Sequence, residues 1–216
     1  MTRALVVAKA PVPGRVKTRL GAEVGMDAAA ELAAAALLDT LGACRAAFGA
    51  EDCLLALDGD LADALRSEEL TAALEGWRVY AQRGAGLGQR LANAHADVPA
   101  GAPVLQVGMD TPQLDPDGLH AAAAVLDDAD AVLGPADDGG WWLLGLREPA
   151  AGQVLRDVPM STPTTYELTR KALEDRGLRV ASTSTMRDVD TVADANAVAA
   201  GRRDTEFART WTEVSR

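Results

Sequence analysis

Short apolar runs, each bounded by proline, glycine or aspartate, alternate with longer helical patterns along almost the whole chain, and that alternation leaves few folds open. The expected strands are Ala4–Ala8, Cys53–Leu57, Trp77–Ala81, Pro103–Gly108, Ala131–Gly134, Trp141–Leu146 and Leu178–Ser182. Between them, helical patterns cover Glu23–Phe48, Leu61–Leu74, Gln89–Asp97, a stretch opened by Asp115 or Asp117, Thr164–Arg176, and most of the remainder to Arg216. Successive βα units imply an α/β fold, a three-layer α/β/α sandwich around a mostly parallel sheet. One step breaks the rule. Only Pro135–Gly140 separates the fifth and sixth strands, too little chain for a crossover helix, so these two cannot be neighbouring parallel strands. No repeat or linker divides residues 1–216, and one domain is expected.

In such sheets ligands bind outside the carboxyl ends of the strands, near the point where strand order reverses. The unusual residues fall there. The first strand is followed by KAPVPGRVKTRLG, which places Lys9, Arg15, Lys17 and Arg19 on a loop bent by Pro11, Pro13 and Gly14, in a chain of formal net charge −11. Cations gathered on an acidic background suit a small phosphorylated ligand, with arginine giving forked hydrogen bonds and lysine a compact charge. The same acidity argues against binding along a nucleic acid. The loop is neither a P-loop nor a dinucleotide fingerprint.

Gly108-Met109-Asp110-Thr111-Pro112 ends the fourth strand, and Asp188-Val189-Asp190-Thr191 follows the seventh. Asp110 reads as a turn residue or as a ligand for Mg²⁺ or Mn²⁺, hard ions that take few protein carboxylates and draw further oxygens from substrate phosphates. Asp188 and Asp190 face the same way if extended, although Asp190 also stands where an N-cap would. Asp137, Asp138, Gly139 and Trp141 form an acidic, flexible stretch suited to an acceptor. Trp141 and Trp142 should face opposite sides of their strand, and core packing is as natural a role for either. Gly84, Gly86 and Gly88 could admit a base or ribose against bare backbone. Asp58-Gly59-Asp60 fits a DxD pattern but reads better as a turn and helix cap.

Several classes recede. Cys44 and Cys53 lack metal-ligand spacing and are expected to be buried thiols; His95 and His120 stand apart from one another and from any nucleophile motif. With an apolar content of 48%, no run long enough to span a bilayer and no signal-peptide pattern, the chain is expected in the cytoplasm.

KAPVPGRVKTRL, GMDTP, GPADDGGWWLLGL and DVDTVADANAV, in this order, resemble the bacterial DUF2064 family across about residues 4–200. These are small members of the GT-A superfamily, the nucleotide-diphospho-sugar transferase fold. The chain is more distantly similar to phospholactate and phosphoenolpyruvate guanylyltransferases and to molybdenum-cofactor nucleotidyltransferases. That resemblance implies a transferase in which Arg15, Lys17 and Arg19 hold a triphosphate and Asp110, Asp188 and Asp190 a metal, Mg²⁺ or Mn²⁺. The chain carries DGGWW where the family favours DGGYY, and Met160-Ser161-Thr162 where it often has Trp-Ser-Thr, which bears on the acceptor more than the nucleotide. The implied reaction is nucleotidyl transfer from a nucleoside triphosphate to a small acceptor, with Lys17 and Asp110 central. The alternatives are glycosyl transfer from a nucleotide sugar, with Asp137 or Asp138 as base, and nucleotide binding without catalysis. The alanine-rich faces of the Glu23–Phe48 helix could pack internally or against a second subunit.

Overall fold

The structure is a computed structural model describing residues 1–216. β1 (Arg3–Lys9) leads into α1 (Thr18–Val24) and α2 (Met26–Phe48), then β2 (Cys53–Asp58), α3 (Ser67–Ala73) and β3 (Arg78–Ala81). Next come α4 (Leu87–Asp97), β4 (Val104–Val107), α5 (Pro116–Val125), β5 (Ala131–Pro135) and β6 (Trp141–Leu146). A 3-10 stretch at Pro149–Asp157 precedes α6 (Thr165–Glu174), β7 (Val180–Ser182), α7 (Val192–Gly201) and α8 (Glu206–Val214).

The seven strands form a single sheet in the order β3-β2-β1-β4-β6-β5-β7. Only β6 runs against the rest; it pairs antiparallel with both β4 and β5, as the short Pro135–Gly140 connection requires. From β1 the chain winds outward to β3 and returns on the other side of β1 as β4. The order therefore reverses between β1 and β4, and their carboxyl ends open a crevice.

Alternation along β1 sorts its side chains between two cores. Ala4, Val6 and Ala8 face α2, α3 and α5, whereas Leu5 faces α4, α6 and the 3-10 stretch. On α2, Ala30, Ala33, Ala34, Leu37 and Leu41 lie against the sheet. Ala29, Leu32 and Ala36 meet α7 and α8 in a third cluster, so both alanine-rich faces pack within the chain.

Two expected helices are divided. The pattern beginning at Glu23 breaks at Gly25, whose φ of 93° a side chain would oppose: its N–H closes α1 on Gly21 and its carbonyl opens α2 to Ala29. The pattern over Leu61–Leu74 becomes a 3-10 turn at Leu61–Asp63 and then α3, because Arg66 takes a left-handed backbone. Its guanidinium is held there by Glu69, Glu31 and Glu206.

Candidate functional site

The opening loop is anchored before it is charged. Val16 is buried in the main core, Leu65 donates its N–H to the Pro11 carbonyl, and Arg15 closes a tight turn on Val12. Gly14 completes the bend with φ 74°. Anchoring Val16 leaves Arg15 and Lys17 on either side of it, and they take different directions. Arg15 and Lys9 are exposed and form no ion pair, which leaves two open cations at the end of β1. Lys17 turns inward: its side chain is 7% exposed, and its ammonium reaches the Asp110 carboxylate, the Asp190 carboxylate at 3.6 Å and the Val189 carbonyl. Arg19 stays in solvent and pairs with the other oxygen of Asp190 at 2.7 Å.

The acids are placed from two directions. Asp110 follows β4, and its carbonyl accepts the Val189 N–H at 3.0 Å, which ties the two loops together. Val189 is buried in the third cluster, so Asp188 and Asp190 project on either side of an anchored residue. Asp190 is not the cap of α7. Thr191 is, in a capping box with Asp194, and Asp190 is left free for the cleft. Burial raises the pKa of Asp188 to about 7, helped by the charges of Asp110, Asp138 and Asp190 and opposed by Lys17; no hydrogen bond offsets the rise.

A cleft of about 570 Å³ opens at the carboxyl ends of β1 and β4. Lys9, Arg15, Lys17 and Arg19 line one side, and Asp110 and Asp190 stand among them. Gly86 contributes the opposite lip, where it opens α4. Asp188, Gly14, Gly84 and Gly88 are not part of the lining. Gly84 packs against Gln89 and Arg90, while Gly88 lets α4 approach the backbone at Leu155, in the 3-10 stretch, and at Val158 just past it.

The stretch expected at the acceptor is also outside the lining. Asp137 pairs with Arg187 at 3.0 Å, and Asp138 accepts the Gly140 N–H at 2.7 Å. The Gly139 carbonyl accepts from the Tyr166 N–H. The two tryptophans do face opposite sides: Trp141 donates to Thr169 beneath α6, and Trp142 is buried with its N–H on the Ser184 carbonyl. The Asp58–Asp60 turn behaves as a turn and cap at Asp60, which accepts from Ala62, but Asp58 pairs with Arg90 at 2.6 Å on the cleft wall.

Gln82, Arg90 and Ser161 also line the cleft; Arg90 closes the glycine-rich stretch and Ser161 lies in Met160-Ser161-Thr162, while no motif pointed to Gln82. Gln82 sits just past β3, and its side-chain N–H₂ bridges the Ala8 and Ala56 carbonyls, holding the ends of β1 and β2 together. Strand-end position was the available signal for Gln82. Ser161 takes a left-handed backbone (φ 58°), which a sequence does not display. Cys44 and Cys53 are buried free thiols. His95 is buried against Gln106 and its pKa falls to about 4, and His120 meets the Ala47 carbonyl; neither reaches the cleft.

No three acidic, histidine or cysteine side chains converge into a complete cage. What the chain offers is a pair of hard carboxylates already gathered around one cation, the Lys17 ammonium. That arrangement fits Mg²⁺ or Mn²⁺, ions that keep most of their coordination for water and phosphate.

Residues 40–162 match DUF2064, described as an uncharacterised protein conserved in bacteria. The chain belongs to this family. Over 98% of its length it superposes on 92% of a candidate nucleotide-diphospho-sugar transferase from Desulfovibrio desulfuricans, with 30% identity and a TM-score of 0.80. A nucleotidyl transferase from Methanothermobacter is similar at 22% identity and TM-score 0.57, covering 97% of this chain and 99% of that one. Rv0371c of Mycobacterium tuberculosis, crystallised with manganese, is similar at 19% identity and TM-score 0.56, covering 92% and 98%. No curated protein matches. This DUF2064 member has the three-layer GT-A-like fold expected of its sequence, with a mixed, mostly parallel sheet.

Proposed function

We propose that the chain is a nucleotide-dependent transferase which carries a nucleotidyl group from a nucleoside triphosphate to a small acceptor and releases pyrophosphate. The observation that carries this reading is the pairing of two open cations, Lys9 and Arg15, with an acid pair, Asp110 and Asp190, in one cleft. In nucleotidyl transfer an acceptor oxygen attacks the α-phosphorus, and the bond to the β-phosphate bridging oxygen breaks. Negative charge grows on the departing pyrophosphate, and fixed cations there stabilise the transition state more than the ground state. Lys9, Arg15 and Arg19, which line the cleft, would do that here. A divalent ion at Asp110 and Asp190 would neutralise phosphate oxygens as the charge shifts. Gln82 keeps the β1 and β2 ends fixed, so the phosphates meet a rigid wall. A phosphate or carboxylate acceptor arrives ionised and needs no base.

A second reading, glycosyl transfer from a nucleotide sugar, is favoured by the likeness to the Desulfovibrio protein. ³¹P NMR separates the two. With Mg²⁺, pooled small-molecule acceptors and each nucleoside triphosphate in turn, pyrophosphate should appear with one base. Release of a nucleoside diphosphate from a nucleotide sugar instead would replace the first reading with the second. In either case Asp110→Asn, which keeps the side chain's shape and an oxygen for the Lys17 ammonium, should lower turnover at least ~100-fold while the protein stays folded.

A further inference from the structure

Four cations stand on the opening loop, and one of them is already engaged by oxygens of its own chain. Lys17 has a left-handed backbone (φ 47°, ψ 40°) immediately before α1, an unfavourable conformation for a side-chain-bearing residue, and no side-chain cap offsets it. Its ammonium is nearly sealed from water and has three oxygen partners, from Asp110, Asp190 and Val189. A divalent ion seated on the same two carboxylates would meet that ammonium within a few ångströms. Like charges so close in a partly desolvated site repel strongly. The two cations therefore exclude one another.

We propose that Lys17 is the resident cation of the acid pair: it competes with a divalent ion for Asp110 and Asp190, and leaves them when a nucleotide's phosphates offer it another partner. The inference rests on the metal seat named in the preceding reading. Its consequence is coupling. The ion binds weakly to the free protein, and ion and nucleotide each favour the other by the same factor. The acids are kept neutralised and ordered until both arrive.

Mn²⁺ alone, titrated by the loss of its free electron-paramagnetic-resonance signal, tests this on the full chain. Lys17→Met should bind Mn²⁺ at least about tenfold more tightly than the unaltered protein, and Asp110→Asn should lose binding. Equal or weaker binding by Lys17→Met, with Asp110→Asn still defective, overturns the competition and leaves the metal seat intact. Equal weak binding by all three proteins overturns the metal seat and the inference together. Should Lys17→Met fail to fold, the unaltered protein answers by itself. It contains three lysines, Lys9, Lys17 and Lys171, and ¹⁵N-lysine labelling resolves the one protected ammonium. That signal should shift or vanish as Mg²⁺ saturates the site; an unchanged signal at saturation overturns the proposal.

Discussion

Asp188→Asn separates the electrostatics of the acid cluster from its fold. In the native chain the Asp188 carboxyl has a pKa of about 7 against an ordinary 3.8, raised first by burial and then by Asp110 and Asp138. A carboxyl whose folded pKa lies above its unfolded value stabilises the native state fully below the unfolded pKa. It loses that contribution as pH rises through the folded pKa, because the unfolded chain ionises more easily. Three pKa units correspond to roughly 4 kcal/mol as a ceiling, and partial exposure of the site brings the expected effect to ~1–3 kcal/mol. Asparagine keeps the shape and never ionises. Without metal, Asp188→Asn should therefore melt higher than the unaltered protein at pH 8, by about 2–10 °C for a chain of this length. The advantage should shrink to roughly a third at pH 5 and vanish near pH 4. Calorimetry at several pH values reads all of this. A difference that stays constant from pH 5 to pH 8 would refute the raised pKa.

Two further substitutions test the phosphate wall and the frame behind it. Arg15→Ala should weaken a nucleoside triphosphate about tenfold or more and a monophosphate by less than about threefold, measured by calorimetric titration, because Arg15 is an open cation near the expected phosphate tail; equal losses would place it elsewhere. Gly88→Ala should destabilise by ~1–3 kcal/mol in urea denaturation, since a methyl group there meets the Leu155 carbonyl and must push α4 from the 3-10 stretch. An unchanged midpoint would mean that this interface yields freely.

The parts of the site most legible in the sequence were those set by position along a strand. Lys9 ends β1 and Asp110 follows β4, and the reversal of strand order between those two strands brings them to one cleft. The antiparallel β6 was equally readable, because six residues cannot make a crossover. Direction was harder to read than position. Nothing in the spacing of Arg15, Lys17 and Arg19 distinguishes an ammonium turned inward from guanidiniums left in solvent; the left-handed backbone at Lys17 decides it. Gly88 looked like a glycine kept bare for a ligand, yet the close approach it permits is to backbone more than sixty residues away in the chain. Thr191-Val192-Ala193-Asp194 is itself a capping-box pattern, so the sequence carries the signal that the cap of α7 is Thr191 and not Asp190.

The third hydrophobic cluster explains why the acid segment belongs with the opening loop at all. Leu20 of α1, Leu32 of α2, Val198 of α7 and Phe207 and Trp211 of α8 close around Val189, the residue between the two acids. Asp39 on α2 accepts the N–H groups of Glu206 and Phe207, which fixes α8 onto α2 by its first turn. The loop bearing Lys17 runs directly into α1, and the segment bearing Asp188 and Asp190 runs directly into α7, so cation and anions are mounted on helices that share one core. Their separation is then set by apolar packing rather than by their mutual attraction. An ion pair held only by itself would collapse or drift when its charges changed; one mounted on a common core can give up the Lys17 contact to another cation and keep the carboxylates where they are.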